Sequence, residues 1–246
     1  MKILLVDNSN TRTKFALAEQ GEEFSDTFWI PTSGISAASL SEKLGTLHFD
    51  AALICSVVPE KRTILEDYLG KICSVHLLTH QSPLGLDIDY PNPTSVGADR
   101  LANAVGVVAH HGSPAVVIDF GTAVTFDVIS AAPAYCGGAI APGLGAMTEY
   151  LGRRTALLPE FEMAEPPAAI GKSTAGAMQS GAVIGYRGLV KEILLEIRRE
   201  LGNAPHAVAT GGDAALIANG VPEIEHVDPD LTLRGLRLIA ERVFLK

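Results

Sequence analysis

The chain has 246 residues, 47% of them hydrophobic, enough to bury one large core or two modest ones and too apolar for a disordered segment. A net charge of −9, a pI of about 5.2 and the absence of any Lys/Arg run argue against a nucleic-acid groove or an anionic membrane surface as partner. Phosphate binding in such a chain has to be local, through backbone N–H groups and metal ions.

In chain order, short β-branched or apolar runs alternate with longer helical patterns. The sequence predicts strands at "KILLVD", "AALICSVV", "SVHLLT", "AVVIDF", "VTFDVI", "HAVAT" and "EIEHV". Helices are predicted over Ser36–Leu47, Glu60–Leu69, Ala98–His111, Thr174–Leu201, Gly212–Asn219 and Leu231–Leu245. This alternation argues for an α/β chain with largely parallel strands. The segment "HHGSP" at 110–114 ends a helix and opens a strand, so the chain is expected to divide into domains 1–112 and 113–246, and "PEFEMAEPP" at 159–167 reads as a loop. Cys55, Cys73 and Cys136 form no CxxC pair and lie among apolar residues, as reduced core thiols of a cytosolic protein would. The amino terminus meets an acid too soon for a signal peptide, and no apolar run approaches membrane-spanning length, so a cytoplasmic protein is expected.

Each half opens on a related segment. "LLVDNSNTRTKFAL" at 4–17 can be laid over "VVIDFGTAVTFDVI" at 116–129 without a gap. Asp7 then meets Asp119, Ser9 meets Gly121, Asn10 meets Thr122 and Thr13 meets Thr125. A carboxylate that ends a buried strand, followed by small polar residues, can hold a cation while the turn's N–H groups meet phosphate oxygens. Gly121 would allow positive φ and close approach, and the hydroxyls of Thr11, Thr13, Thr122 and Thr125 add donors. One such turn alone is an ordinary hairpin; two in register shift the reading toward a nucleotide's phosphate chain.

Other nucleotide motifs fail. "IGKST" at 170–174 has Pro166 where a P-loop needs its first glycine, and "GLGAM" lacks the third glycine of a dinucleotide fingerprint. "TGGDAALI" at 210–217 joins a strand to a helix, and Gly211–Gly212 either admits an adenine or ribose or forms a plain turn. In "YPNPTSVGADRLANAVG" at 90–106, Asp99 opens an apolar helix. It serves there as a capping charge or as the base that takes a proton from an alcohol, kept ionised and weak by the helix end and Arg100. His76 and His80 are too far apart on a strand to form a metal pair, and no Ser/His/Asp elbow or zinc cluster is present.

Taken together, these segments resemble the type III pantothenate kinases over nearly the whole chain. The resemblance rests on "DNSNTRTK" at 7–14, "YPNPTSVGADR" at 90–100, "DFGTAVTFD" at 119–127 and "GGAIAPGL" at 137–144. It continues through "RRTALLP" at 153–159, "GKSTAGAMQSG" at 171–181 and "ATGGDAALI" at 209–217. It implies two ribonuclease-H-like domains in tandem, the actin-like ATPase duplication, with the active site in the cleft between them. The implied activity is ATP-dependent phosphorylation of pantothenate, the first step of coenzyme A synthesis. The alternatives are a regulatory protein on the same scaffold or a kinase of another small alcohol.

Carried onto this sequence, the resemblance makes Asp7, Asn8, Ser9, Asn10, Thr11, Arg12, Thr13 and Lys14 the first phosphate turn, with Asp7 toward Mg²⁺. Asp119 would bind K⁺ or NH₄⁺, and Gly121 and Thr122 would meet ATP. Tyr90, Gly97, Ala98, Asp99 and Arg100 would line the pantothenate site, with Asp99 as base. Thr174 would reach in from the partner of a homodimer. The family's turn usually carries glycine where this chain has Ser9, which would cost roughly 1–2 kcal/mol if that position needs a left-handed backbone.

Overall fold

The computed structural model describes residues 1–146, 163–202 and 204–245. The "RRTALLP" motif and part of the predicted loop at 159–167 lie outside the described residues.

The elements run β1 (Lys2–Asn8), β2 (Arg12–Glu19), β3 (Ser25–Pro31), α1 (Ala37–Leu44), β4 (Ala51–Ser56), α2 (Pro59–Leu69), β5 (Ser74–Leu77), β6 (Asp87–Ile88) and α3 (Ala98–His110). They continue with β7 (Ala115–Phe120), β8 (Ala123–Ile129), β9 (Ala134–Pro142), α4 (Thr174–Leu201), β10 (His206–Gly211), α5 (Ala214–Ala218), β11 (His226–Val227) and α6 (Leu231–Phe244). Local chemistry sets several boundaries. Ser36 and Ser39 cap α1 reciprocally, Pro59 starts α2, Ser173 caps α4 and a left-handed Gly202 ends it.

One sheet has the order β3-β2-β1-β4-β5 and the other includes β11-β10-β7-β8-β9, so the halves repeat one strand plan. β1 pairs antiparallel with β2 and parallel with β4, and β7 does the same with β8 and β10. The sequence reading did not name β3 or β9 as strands. β3 is largely exposed, so it lacks a core-facing period, and "AYCGGAIAP" hides β9 behind glycines and a proline.

The chain forms two compact units. The first holds Met1–His110, Pro133–Tyr135 and the chain from Asp230 onward, and the second holds His111–Ala132 and Cys136–Pro229. This differs from a single division after residue 112, because α6 belongs to the first unit. Glycines explain its seat. A Cβ on Gly235 would strike the Ala102 carbonyl, and one on Gly106 would come within 2.6 Å of the Leu231 carbonyl, so α3 and α6 meet backbone to backbone. Thr232 Oγ1 donates to the buried Asn103 Oδ1 at 2.7 Å across the same contact.

In the first unit Ile3, Leu5, Ala16, Leu53 and Cys55 face α3 and α6, while Leu4, Val6, Phe15 and Ile54 face α1 and α2. The strands are buried on both faces, which is why they read as continuous apolar runs. In the second unit Val116, Ile118, Val124 and Phe126 pack on Val183, Tyr186 and Val190 of α4.

Candidate active site

The carboxyl end of β1 carries the first site. Asp7 lies opposite Lys14 on β2 and Cys55 on β4, and Lys14 lies opposite Trp29 on β3. Partners directly across a sheet share a face, so Cys55, Asp7, Lys14 and Trp29 form one row. The adjoining turn is tied down by hydroxyls. Ser9 N–H donates to the Arg12 carbonyl at 3.2 Å, and Ser9 Oγ donates to Asp7 Oδ1 at 3.0 Å. Thr32 Oγ1 donates to the Ser9 carbonyl at 2.7 Å and lies 3.0 Å from Thr13 Oγ1. Buried Asn8 donates to Thr13 Oγ1 and accepts from Ser56 Oγ. Asp7, Asn8 and Thr13 are buried, while Asn10, Thr11 and Arg12 stand exposed at the tip. The Arg12 guanidinium stacks 4.7 Å from the Trp29 ring centre.

Ser9 carries no backbone strain: among described non-glycine residues, positive φ is confined to Asp26. The expected left-handed penalty at Ser9 therefore does not arise.

Asp99 lies in the first turn of α3. Burial first, and then the charges of Asp7 and Asp99, push the fully buried Cys55 thiol well up. Asp99 Oδ1 accepts from Arg100 N–H at 2.8 Å. A Cβ on Gly97 would lie 2.5 Å from that oxygen, so Gly97 is what leaves the carboxylate its place. Burial raises the Asp99 pKa above the usual Asp value, and the Arg100 hydrogen bond and charge, expected to lower it, only partly oppose this. Ala98 starts the helix; Arg100 lies 5.6 Å from the centre of the Tyr135 ring, and Tyr90 meets that ring edge-on at 6.1 Å.

The second unit carries the other turn. Asp119 lies opposite Thr125 on β8 and Thr210 on β10. Gly121 N–H donates to the Ala123 carbonyl at 3.0 Å, leaving Thr122 alone at the tip. The first turn has two tip residues and the second has one, so the gapless overlay slips by a residue on the returning strand. The partner of Asp119, Thr125, corresponds to Lys14 and not to Thr13. Gly121 also has ordinary φ, and a Cβ there would find its nearest atom at 3.5 Å; the expected use of positive φ is not observed. Positive φ occurs instead at Gly211, at 92°, where a Cβ would lie 2.7 Å from Asp119 Oδ1 and 2.5 Å from the Phe120 carbonyl. Gly143 packs beneath the turn, its N–H donating to the Thr122 carbonyl at 3.1 Å. Tyr186 of α4 holds that segment through its hydroxyl, which donates to the Pro142 carbonyl at 3.0 Å, and burial followed by Asp213 pushes its pKa up to about 12. Thr174 is the exposed first residue of α4.

Sequence reading missed Thr32, Ser56, Tyr135 and the fully buried Asp127, which accepts from Thr125 Oγ1 at 3.2 Å. Only Asp127 had a signal, an acid two residues beyond Thr125 in an apolar strand.

Residues 3–196 match the family model for type III pantothenate kinase. A relative from Akkermansia muciniphila named type III pantothenate kinase is 56% identical over 240 residues, covering 98% of each chain. The chain belongs to the type III pantothenate kinase family. Among solved structures, it is similar to a Campylobacter jejuni chain named for the Baf transcriptional activators, with a TM-score of 0.65, 21% identity and 97% of each chain covered. An archaeal actin homologue gives a TM-score of 0.54 at 16% identity, covering 98% of this chain and 100% of its own. At these identities the structures speak for the fold alone, and that fold is the actin-like one expected for the family.

Proposed function

We propose that this protein transfers the γ-phosphoryl group of ATP to the primary hydroxyl of pantothenate, releasing ADP and 4'-phosphopantothenate for coenzyme A synthesis. Family membership makes it a kinase. The observation that carries the residue assignment is Gly97, whose missing Cβ leaves the Asp99 carboxylate its place in the first turn of α3.

Asp99 is the proton acceptor. Its carboxylate takes the hydroxyl proton as the new O–P bond forms and the bond from γ-phosphorus to the β–γ bridging oxygen breaks. Burial tunes it to do so, because a raised pKa makes a stronger base of the ionised form. Gly97 and Ala98 shape its pocket, and Tyr90 and Arg100 flank the substrate. Asn8 through Lys14 receive the phosphates on one turn, and Gly121 and Thr122 contact ATP on the other.

Asp7, a buried carboxylate near the end of β1 that accepts from Ser9 Oγ, would hold Mg²⁺ as a hard oxygen donor. Bound there, it would neutralise charge on the phosphates. At Asp119 the missing Cβ of Gly211 leaves space beside Asp119 Oδ1 and the Phe120 carbonyl, an all-oxygen donor set that suits K⁺ or NH₄⁺.

The working form we infer is a cytoplasmic homodimer in which Thr174 reaches the partner's pantothenate. Exposed Ile170, Ile184 and Leu195 support an apolar partner face, and free Cys55, Cys73 and Cys136 suit a reducing compartment. No described helix is long and apolar enough to cross a membrane, and the net charge of −9 argues against nucleic acid. ADP release assayed with pantothenate and other small alcohols, with Mg²⁺ and with or without K⁺, tests the reading. Release independent of pantothenate, or an Asp99→Asn protein of unchanged rate, would overturn it.

A further inference from the structure

The chain is acidic, with 28 Asp and Glu against 19 Lys and Arg, yet among the described residues no ion pair takes Arg12 or Lys14. Both stand on the sheet face that carries Asp7, because alternate residues of β2 share a face and Lys14 lies opposite Asp7. The main chain at Arg12 is fixed. Its carbonyl accepts from Ser9 N–H at 3.2 Å, and the Thr11 carbonyl before it accepts from Thr32 N–H at 3.0 Å. The far end of the side chain is met by β3. Arg12 lies opposite Pro31 and Lys14 opposite Trp29, so the indole is the diagonal neighbour of Arg12, and the guanidinium rests 4.7 Å from its ring centre.

Core packing does not account for an indole there. Ile30 turns into the core beneath α1 and α2, and Phe28 stacks on Phe15 at 5.1 Å. Trp29 faces the other way and keeps 51% of its surface exposed. It is the sole tryptophan of the chain.

We infer that Trp29 is a positioning residue for Arg12, holding the guanidinium on the Asp7 face so that, with Lys14, it grips the phosphate chain of ATP. This rests on the kinase reading above. A long, flexible stem loses rotamer entropy when a ligand fixes it, and a stem held beforehand loses less. The ring face holds it by the attraction of its quadrupole for a cation. That contact leaves the charge and the N–H donors in place, whereas a carboxylate partner would take both. Two cations of one turn, unspent on the chain's own abundant acids, are thereby kept for an anion from outside.

The test changes the electrostatics of this ring and little else. With one tryptophan in the chain, mono-, di- and trifluorinated tryptophan supplied during growth replaces Trp29 alone and withdraws π density at almost constant shape. KM for ATP should rise stepwise, to roughly fivefold, while kcat and KM for pantothenate stay as in the unmodified protein. Trp29→Leu, which removes the face, should raise KM for ATP about tenfold, and its effect should vanish in an Arg12→Gln background. The emission of Trp29 should also change on addition of ATP, and should cease to do so in Arg12→Gln. In a protein that phosphorylates pantothenate, a flat fluorinated series, or a Trp29→Leu effect that survives in Arg12→Gln, overturns this inference alone. A protein whose emission responds to ATP through Arg12 but which phosphorylates no pantothenate overturns the substrate reading and supports this inference. A protein that does neither overturns both.

Discussion

The two acid-bearing turns share a strand plan and differ in how they are held. In the first, side chains do the work: Ser9, Thr13, Thr32, Asn8 and Ser56 tie a tip of two residues to its surroundings. In the second, the tip is the single residue Thr122, and glycines 143 and 211 allow main chain to pack against it directly. The lesson is that a duplicated unit can keep the route of its backbone while exchanging hydroxyl bracing for close packing. Ser9 and Gly121 occupy matching positions for that reason: neither needs a left-handed backbone, and a Cβ is tolerated at both.

The largest effect expected lies beside the first turn. Asp99→Asn should lower kcat by roughly 10²–10⁴-fold, the usual range for a lost general base, measured by ADP release. The same change should raise Tm at neutral pH. The folded-state pKa of Asp99 lies above the ordinary carboxylate value, so its stabilising contribution is complete below that ordinary value and is lost as pH rises through the folded value. The Tm advantage of the Asn variant should therefore shrink toward acid pH. An advantage that grew on acidification would reverse the assigned direction.

Next in size is the contrast between the turns' own acids. Asp7→Asn should cost about 10²-fold in kcat/KM with Mg²⁺-ATP whatever the monovalent salt. Asp119→Asn should instead abolish the difference between K⁺ and Na⁺ buffers. If both variants respond alike to K⁺, the division of labour between the turns is wrong.

A smaller effect, on stability alone, tests the glycine style of packing where two helices use it. Gly235→Ala drives a methyl into the Ala102 carbonyl and should cost about 1–3 kcal/mol, read as a fall in Tm of several degrees. The smallest effects sharpen the comparison itself. Gly121→Ala should leave the unfolding free energy within about 0.5 kcal/mol of wild type, read from denaturant melts, since space for a methyl is present. Its KM for ATP should nevertheless rise, because the close approach there is to ligand. Ser9→Gly, which releases Asp7 from the serine hydroxyl, should leave Tm lower and the fold intact.

Much of this architecture was legible because buried parallel strands and an amphipathic helix declare themselves in apolar periodicity. β7 and α4 fall on the boundaries their sequences suggest. Asp7 and Asp119 stood out because a charge is conspicuous at the end of an apolar run, and Asp99 because it opens an apolar helix. Three things were not legible. The one-residue slip between the turns has no composition signal, since threonines fall on both sides of it. The seat of α6 depends on Gly106 and Gly235, each unremarkable alone and informative only as a pair. Tyr135 looks like any core aromatic until its neighbours, distant in sequence, are seen around it.

The return of α6 to the first unit has a consequence for biosynthesis. A ribosome delivers residues 1–110 long before 231–244, yet the sheet face bearing Ile3, Leu5 and Leu53 is fully covered only when that late helix joins α3 on it. The nascent amino-terminal half thus emerges with part of an oily flank uncovered, a natural client for holding chaperones. A permuted gene that moved the final helix ahead of β1 would let that half seal itself as it is made.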